Sequence, residues 1–430
     1  MKDCITVKKS RGLNGEIDMP GDKSITHRSV IIGSIASGDT TIRGYLPSED
    51  CINTIKAFKA LGIEIEREGE ILRVSGRGRD GLKEPEDIIY LGNSGTSLRL
   101  LTGLLSGQSF FSTLTGDGSL RSRPMMRVIE PLREMGADIR GRRGGDRAPI
   151  AISGRRLHGI TYSSPIPSAQ VKSAIIFAGL YADGITSLSE PLRSRDHTER
   201  MLSYFGAEIK SKGLTIEIKG GTKLEGRYID IPGDISSASF FIIGATIVKD
   251  SEILIRKTGI NPTRRGIIDI LKEMGGRIEI RNERELCGEP VADIYVRSSQ
   301  LKGTVIGGEL IPKTIDEFPI LCIAASMADC ETIIKDSSEL RLKESDRISV
   351  MTNELKKMGV DIEEFPDGLK IKGGNPLKGA VVSSNGDHRV AMAMTIAGMA
   401  AEGETCVEGI RCIDTSFPSF IDILRGLSRD

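Results

Sequence analysis

Hydrophobic and polar positions along the chain fall into two phrases that keep returning. The first runs at helix period, stops on a glycine and continues at strand period. It reads F-K-A-L-G-I-E-I (Phe58 to Ile65), L-R-E-M-G-A-D-I (Leu132 to Ile139), L-S-Y-F-G-A-E-I (Leu202 to Ile209), L-K-E-M-G-G-R-I (Leu271 to Ile278) and L-K-K-M-G-V-D-I (Leu355 to Ile362). Apolar residues at i, i+3 and i+4 predict an amphipathic helix, the glycine a left-handed stop, and the alternation of Ile with charge a strand. The copies lie roughly 70–85 residues apart, longer than any common solenoid period. The second phrase is a helix of small and apolar residues, followed by a β-branched stretch. Six copies start near His27, Ser97, Gln170, Ser239, Glu317 and Arg389. They are apolar nearly all round, which predicts interior helices. Together the phrases predict a β-α-β-α-β-β unit repeated six times, dividing three and three.

A third repetition marks the division. E-I-D-M-P-G-D (Glu16 to Asp22) returns as Y-I-D-I-P-G-D (Tyr228 to Asp234). Each copy reads as a strand that breaks at Pro-Gly and opens a helix. The expected partition is 21–233 as one lobe and 1–20 plus 234–430 as the other, hinged at the crossings near 20 and 233. A cleft between lobes is then the natural ligand site. The fold class is α/β in the broad α+β sense.

Composition narrows the function. A chain of 430 residues exceeds one typical core. Lys plus Arg (59) equals Asp plus Glu (59), so no global field favours nucleic acid or an anionic membrane. Seven cysteines without a C-x-x-C fit reduced cytosolic thiols better than disulfides or zinc. The start lacks an apolar signal core and no run reaches transmembrane length, so a cytoplasmic protein is expected. Four histidines and no tryptophan leave little for a metal site, and none is expected, nor a cofactor.

The chemistry gathers at predicted helix N-termini, where free N–H groups and the helix dipole favour anions. Asp22, Lys23, Ser24 and Arg28 follow the first Pro-Gly break; the second copy keeps the frame but loses the Lys and the Arg. A P-loop is excluded, because Asp22 stands where Gly must precede Lys. L-G-N-S-G-T-S-L-R (Leu91 to Arg99) places Gly95 where backbone could approach a ligand closely. G-D-G-S-L-R-S-R-P-M-M-R (Gly116 to Arg127) clusters Arg121, Arg123 and Arg127, with Pro124 at a first-turn position. P-S-A-Q-V-K-S-A (Pro167 to Ala174) offers Ser168 and Gln170, and S-R-D-H-T-E (Ser194 to Glu199) offers Arg195 or His197. In the second half, Asp316, Lys343, Glu344, Arg347, His388 and Arg389 each abut an apolar helix, where charges must be paired or bind something. Arg140 to Arg147, R-G-R-R-G-G-D-R, reads as a solvated turn. A cleft of this make-up suits two anionic substrates with acid–base chemistry between them.

The motifs G-D-K-S-x-x-x-R, L-G-N-S-G-T-S-x-R, R-x-R-P, S-A-Q-x-K-S-A, S-R-D-H-T-E, D-E-F-P, K-E-S-D-R and D-H-R-x-A-M span essentially the whole chain. In them it resembles the EPSP synthase (3-phosphoshikimate 1-carboxyvinyltransferase) family of enolpyruvyl transferases. The resemblance implies a two-lobed inside-out α/β barrel with three β-α-β-α-β-β units per lobe. It also implies transfer of the enolpyruvyl group from phosphoenolpyruvate to the 5-hydroxyl of 3-phosphoshikimate, in the shikimate pathway to aromatic amino acids, by a monomer without cofactor or metal. It assigns 3-phosphoshikimate to Lys23, Ser24, Arg28, Ser168, Ala169, Gln170, Arg195, Asp316 and Lys343. Phosphoenolpyruvate falls to Lys23, Gly95, Arg123, Gln170, Arg347, His388 and Arg389. Asp316 would be the base at the 5-hydroxyl and Glu344 the acid at the methylene carbon, with Lys23 as a third catalytic group. Three positions depart from one branch of the family: Leu100 stands for Pro, Ala169 for a second Ser, and Thr415 for a Lys on phosphoenolpyruvate. The alternative, UDP-N-acetylglucosamine 1-carboxyvinyltransferase, usually has a loop Cys where this chain has Gly118.

Overall fold

The computed structural model describes residues 3–429. The chain forms two compact units. An inserted unit comprises Gly21–Ile231 with Glu285–Glu289; a host unit comprises Met1–Pro20, Pro232–Arg284 and Pro290–Asp430. The short piece Glu285–Glu289 departs from the expected 234–430 assignment. It counts with the inserted unit, where Glu289 Oε1 lies 2.7 Å from His197 Nδ1.

Each unit repeats one sheet plan three times. In the inserted unit the strand orders are Tyr228–Asp230, Ser37–Arg43, Ile71–Arg77, Glu64–Glu68; then Ile89–Tyr90, Phe111–Thr115, Arg147–Ser153, Asp138–Arg142; then Thr161–Ser163, Ile185–Ser189, Thr215–Lys219, Ile209–Lys212. In each, the first pair is parallel and the rest antiparallel. The host unit follows suit with Asn14–Asp18 parallel to Glu252–Gly259, and with Val305–Ile306 parallel to Glu331–Ile334. Its last sheet has three strands: Val381–Ser383 runs parallel to Glu404–Glu408, which pairs antiparallel with Cys4–Lys8 from the start of the chain.

Six helices form the cores: Lys23–Ile35, Gly95–Ser106 and Ala169–Gly179 in the inserted unit, and Ile235–Ile247, Phe318–Met327 and His388–Ala400 in the host. They are buried along almost their whole length, as their all-round apolar pattern requires. Each fully buried Leu or Ile contributes about 1.5–3 kcal/mol. Backbones approach closely at Gly103, where a Cβ would lie 2.0 Å from the Ala174 carbonyl oxygen of the next core helix. The first and fourth core helices begin a turn ahead of His27 and Ser239. Asp22 Oδ1 accepts from the Ile25 N–H at 2.9 Å, and Asp234 Oδ1 from the Ser236 N–H at 2.8 Å, so the aspartates of the two Pro-Gly-Asp copies are N-caps.

The glycine phrase also has a physical account. Gly62, Gly136, Gly206, Gly275 and Gly359 take φ of 83°, 95°, 98°, 91° and 83°. In each case the next residue's N–H reaches back to the helix, Ile63 to Phe58, Ala137 to Leu132, Ala207 to Leu202, Gly276 to Leu271 and Val360 to Leu355. This is the Schellman stop, and it turns the chain directly into the following strand. Pro124 lies ahead of the helix Met126–Glu134 instead of in its first turn; the proline inside that helix is Pro131. No helix among the described residues is long and apolar enough to cross a membrane.

Candidate active site

In the inserted unit the N-termini of the three core helices carry the sequence motifs. Lys23 opens the first, and its Nζ lies 2.5 Å from Asp50 Oδ2 on the helix Glu49–Ala60. Arg28, one turn further, is buried. Its guanidinium donates to Thr198 Oγ1 (2.7 Å), Ser173 Oγ (2.9 Å) and the Ser24 carbonyl (3.0 Å), tying the first core helix to the third and to the helix His197–Tyr204. His27 Nδ1 lies 2.7 Å from Thr54 Oγ1. Burial first, then Lys23 and Arg28, hold its imidazole well below the usual range, so it is neutral at pH 7.

At the second core helix, Ser94 caps the backbone and Gly95 is the first helical residue. Arg99 donates to Gln170 Oε1 at 2.6 Å and to the Pro124 carbonyl at 3.2 Å; Gln170 Nε2 in turn donates to Thr96 Oγ1 at 3.1 Å. Arg123, at the end of the short helix Gly118–Ser122, donates to Asn93 Oδ1, and Asn93 donates to Asp117 Oδ2 at 2.7 Å. The fold thus gathers Gly95, Arg123 and Gln170. Ser168 caps the third core helix, Ala169 is its first residue, and partly buried Arg195 precedes the helix His197–Tyr204.

A Cβ at Gly95 would meet Arg99 Nη1 at 2.9 Å and Arg123 Nη1 at 3.0 Å. Both are the ends of flexible side chains, so Gly95→Ala should keep the fold while displacing the two guanidiniums. The expected result is a thermal midpoint within about 2 °C of the parent. An anion held by Arg123 should bind about 10-fold more weakly, as read by calorimetry.

Beneath this surface Lys172 is 2% exposed and sits 2.9 Å from Glu190 and 2.8 Å from Glu199. Burial pulls its pKa down, but the two glutamates outweigh it and keep the ammonium charged. Lys172→Met would leave two carboxylates buried without their cation. A loss of about 3 kcal/mol in denaturant unfolding is expected.

In the host unit, Arg347 begins the helix Arg347–Lys357 and is 1% exposed. Its Nε donates to Asp387 Oδ2 at 2.8 Å and its Nη2 to Glu344 Oε2 at 2.7 Å, while Nη1 lies 3.6 Å from Asp316 Oδ1. Burial opposes its charge, yet Asp387, Glu344 and Asp316 raise its pKa further above the ordinary guanidinium value. Arg389 closes the far side of Asp316, donating to its carbonyl at 3.1 Å with Nη2 3.4 Å from Oδ2. Asp387 caps the sixth core helix through the Arg389 N–H at 2.9 Å, and buried His388 lies between them in sequence. Partly buried Lys343 has its pKa lowered, mainly by burial and also by Arg347, against the pull of Asp316. Thr415 ends a 3-10 turn and donates to the Cys412 carbonyl at 2.7 Å.

Sequence reasoning missed Asp50, Arg99 and Asp387. Asp387, a short acidic residue just before a core helix, and Arg99, which ends the L-G-N-S-G-T-S-L-R stretch, had local signatures; Asp50 had none. The second Pro-Gly-Asp copy, which lacks the Lys and Arg, receives a cation from elsewhere: Arg264 donates to Ser236 Oγ at 2.6 Å and to Asp234 Oδ1 at 3.2 Å, and Ser236 donates to buried Glu317.

The sequence profile of EPSP synthase (3-phosphoshikimate 1-carboxyvinyltransferase) matches residues 7–424. The chain is 57% identical to the 3-phosphoshikimate 1-carboxyvinyltransferase of Geotalea uraniireducens (strain Rf4), over 97% of this chain and 98% of that protein. It is 55% identical to the one from Geobacter metallireducens, over 97% and 98%. Its structure is similar to that of EPSP synthase from Acinetobacter baumannii, with a TM-score of 0.89 and 44% identity over 100% of this chain and 98% of that one. The enolpyruvyl transferase NikO from Streptomyces tendae shares the fold, with a TM-score of 0.81 at 18% identity over 99% and 97% of the two chains. The alternative acceptor UDP-N-acetylglucosamine gains no support from these matches. Motifs, repeats and similarity over the full length agree: the chain belongs to the EPSP synthase (3-phosphoshikimate 1-carboxyvinyltransferase) family.

Proposed function

We propose that this protein transfers the enolpyruvyl group of phosphoenolpyruvate to the 5-hydroxyl of 3-phosphoshikimate, releasing phosphate, as a cytoplasmic monomer without metal or cofactor. Arg347 carries this reading. One buried guanidinium hydrogen-bonds Glu344 and lies 3.6 Å from Asp316, carboxylates from two separate segments, with Lys343 and Arg389 at their flanks. That is the equipment for moving two protons next to anionic groups.

Asp316 takes the proton of the 5-hydroxyl as its oxygen attacks C2 of phosphoenolpyruvate, and Glu344 delivers a proton to the methylene carbon. The resulting tetrahedral adduct bears both a carboxylate and a phosphate. Elimination removes a proton from the methyl group and expels phosphate, which regenerates the vinyl double bond in the product. Arg347, His388 and Arg389, with Lys23, Gly95, Arg123 and Gln170, hold the phosphoenolpyruvate groups. Lys23, Ser24, Arg28, Ser168, Ala169, Gln170 and Arg195, with Asp316 and Lys343, hold 3-phosphoshikimate. Burial lowers the pKa of Lys343, and an arriving phosphate would oppose that shift by favouring the charged ammonium.

Phosphate release from 3-phosphoshikimate plus phosphoenolpyruvate tests the activity directly, and a folded protein that releases none refutes it. Asp316→Asn and Glu344→Gln should each lower kcat about 10²-fold with KM little changed. Variants with near-parental kcat would remove the two carboxylates from the chemistry.

A further inference from the structure

The run R-G-R-R-G-G-D-R, Arg140 to Arg147, reads from sequence as a solvated turn. The fold makes it one wall of a hollow of about 510 Å³, lined by Arg121, Arg142, Arg143 and Arg147 together with Gly118 and Ser122. Arg121 comes from the short helix Gly118–Ser122, so two segments some twenty residues apart bring their guanidiniums to one place.

The loop is built, not merely exposed. Asp146 Oδ1 accepts from the Met125 N–H at 3.1 Å and the Met126 N–H at 3.0 Å, tying the loop to the segment after Arg121. Arg133 donates to the carbonyls of Gly144 (3.0 Å) and Ile139 (2.7 Å) from behind. Arg143 itself is held at φ 52°, a left-handed conformation that a non-glycine residue adopts at some cost. Asp146 pairs with Arg147 and is already engaged by two backbone N–H groups. Arg121 and Arg143 have no ion-pair partner among the described residues. Among the described residues four guanidiniums therefore line one concavity, only Arg147 of them paired with a carboxylate there, so the hollow carries a local excess of positive charge.

We propose that this hollow is a second anion site, distinct from the residues assigned to the substrates, and that it takes a small soluble molecule with a multiply charged phosphate chain. Planar guanidiniums grip phosphate oxygens in pairs, and the volume falls in the range of small-molecule pockets. The lining holds no aromatic side chain on which a nucleobase could stack, which directs the choice to the phosphate groups alone.

Inorganic tripolyphosphate is the probe, titrated by calorimetry into the full chain at about 0.1 M salt. Parent protein should bind it, and Arg142→Ala with Arg143→Ala should weaken binding about 10-fold or more. Arg121→Gln, on the separate helix, should weaken it as well, while Lys23→Ala should leave this binding event in place. Four results would overturn the proposal: no binding of tripolyphosphate by the parent, unchanged affinity in the arginine variants, loss of binding in Lys23→Ala alone, or arginine-dependent binding of single-stranded oligonucleotides or phosphatidylserine vesicles without binding of tripolyphosphate. Since Arg121, Arg142 and Arg143 are exposed, thermal midpoints close to the parent's will show that the variants fold.

Discussion

Arg347→Met is expected to destabilise the host unit by about 3–5 kcal/mol in denaturant unfolding. The methionine fills similar space but leaves Asp387, which is fully buried, facing Glu344 and Asp316 without the cation that all three share. The pH dependence should change with it. In the parent, burial would raise the pKa of Asp387, but Arg347 outweighs burial and holds it below the ordinary carboxylate value. A carboxylate with a depressed folded pKa contributes stability that is present above its unfolded pKa of about 3.9 and is lost as pH falls through the lower folded value. The parent should therefore lose stability as the medium is acidified below about pH 4. The variant should lack that component, and its deficit should shrink in acid. An unfolding free energy within about 0.5 kcal/mol of the parent would mean that the three carboxylates do not depend on Arg347.

Lys23→Ala should separate rate from stability. Its ammonium is the group assigned to both substrates, so turnover should fall about 10³-fold in the phosphate-release assay. The ion pair with Asp50 is partly open to solvent, with side chains 20% and 11% exposed, so unfolding should shift by about 1 kcal/mol or less. A variant with near-parental turnover would contradict the dual role. A large stability loss would mark Lys23 as chiefly structural.

Much of this architecture was legible because its signals are local. The five glycine phrases announce their own Schellman stops, since a helix pattern, a glycine and an alternating strand all sit within about eight residues. The two Pro-Gly-Asp copies were likewise readable as one device, and the aspartates proved to be caps. What stayed hidden was pairing at a distance. Asp50 meets Lys23 from 27 positions away and Asp387 meets Arg347 from 40, and no period or spacing records such meetings. Arg28 shows the same limit from the other side. Its motif points to an anion, but in the fold Thr198, Ser173 and the Ser24 carbonyl already engage its guanidinium. The Arg140–Arg147 run is exposed at Arg140, Arg142 and Arg143, as a charge run leads one to expect, but sequence cannot show Arg121 joining it.

The order in which strands enter the sheets has a consequence for biosynthesis. A nascent chain carries every strand of the three inserted-unit sheets once Tyr228–Asp230 has left the ribosome, and lacks only the Glu285–Glu289 piece. Cys4–Lys8, among the first residues made, must wait for Glu404–Glu408, among the last, before it has a neighbour to pair with. The inserted unit can therefore assemble during translation, whereas its host closes only when synthesis is all but complete.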